Sequence, residues 1–180
     1  MRDVSKSKSK FLSLILRHKP ELIGIALDEK GWADIEELID KAQLHGFEIT
    51  LDELHAIIAS NDKQRFAVSS DQKRIRANQG HSVKVDLQLQ PSIPPPVLYH
   101  GTAERNLASI KAQGILKGKR HHVHLSTDQK TAFAVGSRYG KPIIIVVDTQ
   151  TMSNNNFIFF QTANEVWLTD FVPAQYLRFD

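Results

Sequence analysis

A run of prolines near the middle of the chain restricts the fold more than any other feature of the sequence. Residues 90–96 read Gln-Pro-Ser-Ile-Pro-Pro-Pro. Three consecutive prolines fit neither a helix interior nor a central strand, because each one fixes φ and lacks an amide hydrogen. Such a run favours an extended, semi-rigid spacer. The sequence therefore predicts two domains, 1–82 and 97–180, joined by a linker at 83–96.

Composition excludes several classes of protein. Of the 180 residues, 41% are hydrophobic and 24% are charged, which is typical of a globular protein. Cysteine is absent, which excludes a disulfide framework, a thiolate zinc site, an iron–sulfur cluster and a cysteine nucleophile. No apolar run has membrane length, and no apolar core follows the charged N-terminus. We expect a cytoplasmic protein with no membrane partner, and a monomer.

The first half predicts three helices followed by a β-hairpin. The first helix has an apolar stripe at 11, 14, 15 and 18, and the third has one at 51, 54, 57 and 58. The expected N-caps are Ser7 or Ser9, then Asp34, then Thr50 in a capping box with Glu53. Strands at 65–68 and 74–77 flank a polar turn. Three helices with a hairpin form a winged-helix arrangement, which is common among nucleic-acid-binding domains.

The second half alternates between strands and helices. Strands are predicted at 97–100, 122–126, 143–147, 157–160, 165–168 and 176–179, and helices at 103–113 and from Thr127 or Asp128 to 139. The expectation is a small α+β domain with a split or sandwich-like sheet. Neither half contains a GxGxxG fingerprint after a strand, a GxxxxGK[ST] phosphate loop or a GxSxG elbow. A Rossmann dehydrogenase, a P-loop kinase and an α/β-hydrolase are therefore disfavoured.

The strongest charge cluster lies in and around the hairpin. Five basic residues fall within positions 63–76: Lys63, Arg65, Lys73, Arg74 and Arg76. The strand period places the three arginines on the outer face, opposite the apolar side chains, with only Asp71 nearby in sequence. Arginine suits two-point contacts with phosphate, although a solvated protective edge is the alternative. Gln79 and His81 follow directly.

The other candidate functional residues are histidines and their neighbours in sequence. Arg17 and His18 end the first helix, where cations complement the helix dipole, but the stripe turns His18 inward or toward a domain interface. His122 and His124 could share a metal ion with His100 or Asp128, although hydrogen-bonded strand histidines are the favoured interpretation. In residues 100–102, Gly101 allows a ligand to approach and a following helix N-terminus favours an anion; an ordinary turn capped by Thr102 is the alternative.

Seven stretches together resemble the NAD-dependent RNA (tRNA) 2′-phosphotransferase family. They are 10–20 (KFLSLILRHKP), 31–34 (GWAD), 62–66 (DKQRF), 75–82 (IRANQGHS), 98–102 (LYHGT), 120–126 (RHHVHLS) and 166–169 (VWLT). The resemblance implies a winged-helix lobe and an ADP-ribosyltransferase-like lobe with the active site in the cleft between them. It also implies transfer of an internal 2′-phosphate from spliced RNA to NAD, through an RNA-2′-phospho-ADP-ribose intermediate. The products would be 2′-hydroxyl RNA, nicotinamide and ADP-ribose 1″,2″-cyclic phosphate.

The resemblance also assigns residues. It implies a catalytic set of Arg17, His18, Arg65 and Arg120, and an NAD site at His100, Gly101, Thr102, Leu125 and Ser126. Contacts with the RNA and its phosphate are expected from Arg17, His18, Arg65, Arg74, Arg76, Gln79 and His81. The implied chemistry needs no metal, and Glu165 is not expected to be catalytic. His18 alone in the catalytic set can exchange a proton near neutral pH.

Two other functions stay open at this point. The same scaffold could transfer ADP-ribose to a terminal phosphate of nucleic acid, or to another acceptor, and stop there. Alternatively, the chain could be a winged-helix nucleic-acid-binding regulator with a ligand-sensing domain. Against the regulator, residues 1–90 carry 14 Lys/Arg and 14 Asp/Glu, and residues 51–60 contain no lysine or arginine. A recognition helix without basic residues is poorly suited to a major groove.

Overall fold

The computed structural model of the chain describes residues 2–60 and 64–179. It divides along the sequence into two units, with the boundary between Gln88 and Leu89. The first unit is Met1–Gln88 and the second is Leu89–Asp180. The segment 83–96 contributes to both units at its two ends. The Asp86 amide donates to the Glu29 carbonyl at 2.7 Å in the first unit. The Ser92 amide donates to the Phe159 carbonyl at 2.8 Å in the second.

The first unit contains three helices and a small antiparallel sheet. The helices are α1 (Arg2–Arg17), α2 (Ile35–Leu44) and α3 (Leu51–Ala59). The strands are β1 (Ala33–Asp34), β2 (Phe66–Val68) and β3 (Arg74–Ala77), in the order β1-β3-β2. The predicted hairpin is confirmed, with Phe66 opposite Ala77 and Val68 opposite Ile75. Strand β1 was not predicted from the sequence.

Local side-chain contacts explain where two of these helices begin. The Asp34 carboxylate accepts the Glu37 amide at 2.9 Å, and Thr50 and Glu53 form the predicted capping box. The predicted start of α1 is wrong, because the helix begins at Arg2 and both candidate caps, Ser7 and Ser9, lie inside it. Residues 5–10 alternate between Ser and Lys, and they lie inside the helix rather than at its start.

The buried face of α1 is rotated relative to the predicted stripe. Leu12, Ile15 and Leu16 are fully buried, whereas Leu14 is exposed. Positions 12, 15 and 16 satisfy the helical spacing as well as 11, 14 and 15 do, so periodicity alone did not choose between the two faces. In α3, Leu51 is likewise exposed rather than inward, while Leu54 and Ile57 are buried as predicted.

The second unit is mixed helix and sheet, which confirms the predicted α+β class. Its strands are β4 (Val97–Ala103), β5 (Ile115–Leu116), β6 (Val123–Leu125), β7 (Pro142–Asp148), β8 (Phe159–Gln161), β9 (Trp167–Thr169), β10 (Phe171–Val172) and β11 (Leu177–Phe179). Its helices are α4 (Leu107–Gln113), α5 (Gln129–Gly136) and α6 (Thr149–Asn154). Strands β5 and β10 and helix α6 were not predicted, and α5 ends before the predicted 139.

The strands form small antiparallel sheets. Two have three strands, in the orders β11-β7-β4 and β6-β9-β8, and β10 pairs with β5. Strand β4 pairs with β7 along its whole length. On its other side it meets the second sheet through one bridge, where Tyr99 and Ser126 exchange two backbone hydrogen bonds of 2.8 Å. The sheet is therefore split next to Tyr99.

Two glycines allow α5 to lie directly on β4. A Cβ atom on Gly101 would lie 1.7 Å from the Ala132 carbonyl oxygen, and one on Gly136 would lie 2.7 Å from the Thr102 carbonyl oxygen. Such distances are far below van der Waals contact, so only glycine permits this packing. The close approach fixes the strand that carries residues 100–102.

None of the helices in the described part of the chain is long and apolar enough to span a bilayer.

Candidate active site

In the first unit, the end of α1 meets the start of the hairpin. The Arg17 guanidinium donates to the Arg65 carbonyl oxygen at 3.4 Å, and the Arg17 carbonyl accepts the Ser82 amide at 2.9 Å. The His18 Nδ1 lies 2.9 Å from the Ser82 hydroxyl. Three of the predicted catalytic residues, Arg17, His18 and Arg65, are therefore brought together with Ser82.

Of the two orientations predicted for His18, inward or toward a domain interface, the inward one is wrong. The helix ends at Arg17, so His18 lies in a turn and no longer follows the helical spacing, and its side chain is exposed. Arg65 continues the hairpin by one residue, because its carbonyl accepts the Asn78 amide at 2.9 Å. Strand alternation then puts Arg65 on the outer face of the sheet. Lys63 lies outside the described residues.

The two hairpin arginines differ in their surroundings. The Arg74 guanidinium lies 3.6 Å from the carboxylate of Asp28, an acidic partner that is distant in sequence. The Arg76 guanidinium lies 4.6 Å from the centre of the Trp32 ring, within cation–π range. Burial lowers the pKa of Arg76, and the negative charge of Asp28 opposes that effect. Asp28 was not singled out from the sequence, and Trp32 was noted only within the 31–34 motif, without a role.

Gln79 and His81, two candidate RNA-contacting residues after β3, differ in their exposure. Gln79 is half-buried, and His81 is only 1% exposed. A Cβ atom on Gly31 would lie 3.4 Å from the His81 Nε2, which shows how closely the ring is packed. An RNA contact by His81 would require this ring to be uncovered.

In the second unit, His100 is half-buried on β4 and has a defined tautomer. Its Nδ1 lies 3.1 Å from the His124 carbonyl oxygen. Burial lowers the pKa of His100, the carbonyl contact opposes this, and the Arg120 charge adds to it. A carbonyl oxygen only accepts, so Nδ1 carries the proton of the neutral ring. The Nε2 atom of His100 is then a hydrogen-bond acceptor.

His124 also holds the fourth predicted catalytic residue. The Arg120 Nη1 lies 3.2 Å from the His124 Nδ1. Guanidinium groups only donate, so the His124 Nδ1 must accept and therefore carries no proton. One residue thus contacts Arg120 through its ring and His100 through its backbone. The sequence favoured a hydrogen-bonded strand histidine at position 124 over a metal ligand, and the contact with Arg120 agrees with that interpretation.

The local structure predicted around residues 101 and 102, an open approach for a ligand and a helix N-terminus, is wrong. The space beside Gly101 is filled by α5 rather than left open to a ligand. A helix N-terminus does not follow Thr102, because β4 continues to Ala103 and α4 begins only at Leu107 after a short 3₁₀ turn. Thr102 is buried and its hydroxyl accepts from the Asn106 amide at 3.1 Å, so it is not a helix cap.

The remaining residues assigned to the NAD site lie at the split of the sheet. Leu125 is buried in the core, and Ser126 is half-buried with its backbone bonded to Tyr99. His122 packs edge-on against Phe160 at 5.4 Å, and burial lowers its pKa. Within 2–60 and 64–179, no three histidine or acidic side chains are arranged to hold a metal ion.

Comparison with known proteins gives a consistent result. The sequence model of the family described as RNA 2′-phosphotransferase, Tpt1 / KptA family matches residues 2–171. The chain is 56% identical over 172 residues to a probable RNA 2′-phosphotransferase of Hahella chejuensis, covering 96% of this chain and 92% of the relative. It is 50% identical over 176 residues to one of Burkholderia pseudomallei (98% and 96% covered) and 52% over 171 residues to one of Streptomyces coelicolor (95% and 93%).

Proposed function

Because the chain belongs to the RNA 2′-phosphotransferase family, we propose that it removes an internal 2′-phosphate from RNA and transfers that phosphate to NAD. A phosphate oxygen attacks the ribose carbon that bears nicotinamide, and nicotinamide leaves. The neighbouring 2″-hydroxyl then attacks phosphorus, and the RNA 2′-oxygen leaves with a proton. The products are 2′-hydroxyl RNA and ADP-ribose 1″,2″-cyclic phosphate, reached through an RNA-2′-phospho-ADP-ribose intermediate.

The observation that carries this proposal is the double contact of His124. Its ring orients Arg120, a candidate phosphate ligand, while its carbonyl orients His100, a candidate ribose ligand. A reaction that joins a phosphate to a ribose needs these two kinds of group to be positioned together. One residue of β6 supplies that arrangement.

The proposal extends to the fold of each unit. The three helices and hairpin of the first unit fit a winged-helix domain. The second unit, with its split sheet and the helix lying on β4, fits an ADP-ribosyltransferase-like domain. We assign binding of the RNA chain to the first unit and binding of NAD to the second.

Phosphate binding falls to the cations at the end of α1 and the start of the hairpin. A 2′-phosphate is already ionised near neutral pH, so the first step needs positioning rather than a base. Arg17 and Arg65 supply guanidinium donors suited to phosphate oxygens. The second step builds charge at phosphorus, which fixed arginines stabilise. His18, whose ring is oriented by Ser82, exchanges the proton.

The residues around β4 fit NAD as the second substrate. The His100 Nε2 accepts a hydrogen bond, and a ribose hydroxyl is the matching donor. Burial keeps this imidazole neutral, which preserves the acceptor at neutral pH. NAD contributes a ribose carbon with a good leaving group, and the protein contributes orientation and fixed charge.

The test is one incubation with two readouts. The purified chain is mixed with a short RNA carrying one internal 2′-phosphate, with and without NAD, and RNA products and nicotinamide are followed together. Loss of the 2′-phosphate only with NAD, with equal release of nicotinamide, is the expected result. Matched RNAs with a terminal phosphate, or with none, serve as controls.

Other outcomes identify the competing functions. Nicotinamide release with RNA that keeps its 2′-phosphate would point to a different acceptor. Lasting addition of ADP-ribose to the terminal-phosphate RNA would point to a capping transferase. No NAD-dependent change in any RNA would overturn the proposal.

A further inference from the structure

On the outer face of the small sheet, Arg76 has Trp32 on one side and an uncovered position on the other. The pairing of Ala33 with Ile75 puts Trp32, which precedes β1, beside Arg76. On the other side, Arg76 is opposite Ala67, a side chain too small to cover it. Arg65 is two residues before Ala67 and so lies diagonally across from Arg76, about 7–8 Å away along the sheet.

Trp32 orients Arg76 without neutralising its charge. The guanidinium carbon lies 4.6 Å from the ring centre, a cation–π distance. The Arg76 Nε is buried and has no hydrogen-bond partner among residues 2–60 and 64–179. Burial lowers the pKa of this group, so a bound anion would relieve the cost of keeping it charged.

Arg74, on the same face of the same strand, differs from Arg76 in its distance from Trp32 and in its ion pair with a carboxylate. It lies farther from the Trp32 ring, at 5.7 Å, and forms an ion pair with Asp28 at 3.6 Å. A guanidinium next to a carboxylate is a weaker ligand for a second anion. The two arginines, which look equivalent in the sequence, are therefore not equivalent as phosphate ligands.

We propose that Arg76, held over the Trp32 ring, binds a backbone phosphodiester of the RNA next to the nucleotide that carries the 2′-phosphate. This inference rests on the proposed function. An RNA whose 2′-phosphate is at Arg65 has a neighbouring phosphodiester within reach of the diagonal position. The planar guanidinium offers two parallel donors to two phosphate oxygens, and the ring removes much of its rotational freedom beforehand. Arg76 acts on RNA affinity and not on the bond-breaking steps.

The test compares variants that remove one charge each. Arg76→Met keeps the aliphatic stem over Trp32 and removes the guanidinium. On a 2′-phosphorylated RNA of several nucleotides, we expect KM for RNA to rise about tenfold, as for a lost charged hydrogen bond, with kcat and KM for NAD unchanged. The salt dependence of RNA binding should lose about 0.7 from its log–log slope. Arg74→Met should raise KM for RNA less.

Two further variants separate charge from structure. Lys30→Met removes an exposed cation close to Trp32 in sequence and serves as the matched control, with no change in KM for RNA. Trp32→Leu leaves the Arg76 charge but removes its support, and should also raise KM for RNA. Urea midpoints of all variants show whether the fold is intact.

Direct binding keeps this inference separate from the proposed function. RNA binding is measured without NAD by fluorescence anisotropy, for the wild type and Arg76→Met. If the wild type does not transfer the phosphate, the proposed function fails while the binding comparison still decides the inference. Equal affinities for wild type and Arg76→Met, or equal losses for Arg76→Met and Lys30→Met, would overturn the inference.

Discussion

His100 is a half-buried histidine whose charge state affects the stability of the fold. Its pKa is lowered mainly by burial, so the folded chain binds fewer protons than the unfolded chain between the lowered value and the ordinary value of about 6.5. Its contribution to stability is therefore complete above about pH 6.5 and is lost as the pH falls through the lowered pKa. Acidification destabilises the fold through this residue.

The first prediction follows from that sign. His100→Gln should flatten the loss of stability as the pH falls below about 6.5, because an amide does not titrate. Urea midpoints measured across this range for the wild type and the variant give the comparison. Burial also lowers the pKa of His122, which therefore acts in the same direction. His122→Gln should remove a further part of the pH dependence of stability. Identical pH dependence for wild type and His100→Gln would contradict this account.

His124 leads to a second prediction, about catalysis. His124→Phe keeps a ring but removes the acceptor that orients Arg120. We expect kcat to fall about tenfold or more, since a misaligned charge loses transition-state stabilisation. His124→Asn, which offers an amide oxygen, should recover part of kcat. Single-turnover rates with saturating RNA and NAD measure the effect.

A double variant distinguishes positioning from packing. If His124 acts through Arg120, then adding His124→Phe to Arg120→Ala should cost little more than Arg120→Ala alone. Independent, multiplying losses would show that His124 acts by another route. Unfolding midpoints within error of the wild type would exclude a general loss of structure.

At this scale the sequence suggests candidate side chains but not their contact partners. Arg17, His18, Arg65 and Arg120 could be selected from short motifs. Their partners come from elsewhere in the chain, as with Ser82 beside His18. Local spacing carries no information about such distant contacts, and the ion pair of Arg74 with Asp28 shows the same limit.

At the scale of elements, the packing of α5 on β4 gives the third prediction. Gly101→Ala should destabilise the fold by about 3 kcal/mol or more, because the new methyl group would lie 1.7 Å from the backbone of α5. The two elements must then separate, and His100 and Thr102 shift with the strand. Urea unfolding measures the loss, and KM for NAD should rise in any fraction that still folds.

A second glycine provides the control for this substitution. Gly118→Ala meets nothing within 4 Å, although its φ of +61° disfavours a side chain. It should cost about 1 kcal/mol, the usual penalty for a left-handed backbone. Similar losses at positions 101 and 118 would show that helix–strand contact is not what Gly101 permits.

Elements with strong local signals could be predicted, and short ones could not. Helices α2 and α3 have caps and apolar stripes, and the hairpin has two alternating strands. Strands β1, β5 and β10 have two residues each, too few to show any period. Because β1 was not predicted, the position of Trp32 beside Arg76 could not be predicted either, since it depends on the pairing of β1 with β3.

At the scale of the whole molecule, charge limits how the chain can bind RNA. The net charge is only +3, and residues 1–90 carry equal numbers of basic and acidic side chains. Long-range attraction to a polyanion is therefore weak, and binding depends on a few placed cations. Helix α3 contains no lysine or arginine, so it adds nothing to that attraction.

The last prediction is the salt dependence of RNA binding. If about three or four phosphate charges are neutralised, by Arg17, Arg65, Arg76 and Arg120, the log–log slope should be about −2 to −3. Raising salt from 50 to 200 mM would then weaken binding about 15- to 60-fold, whereas a protein with 6–10 phosphate contacts on duplex DNA loses about 10³–10⁵-fold. Anisotropy titrations with 2′-phosphorylated RNA, and with the same RNA lacking that phosphate, provide the measurement. The slope should be shallower without the 2′-phosphate; a steep slope that is equal for both RNAs and for duplex DNA would favour a general nucleic-acid-binding surface over a phosphate-directed enzyme.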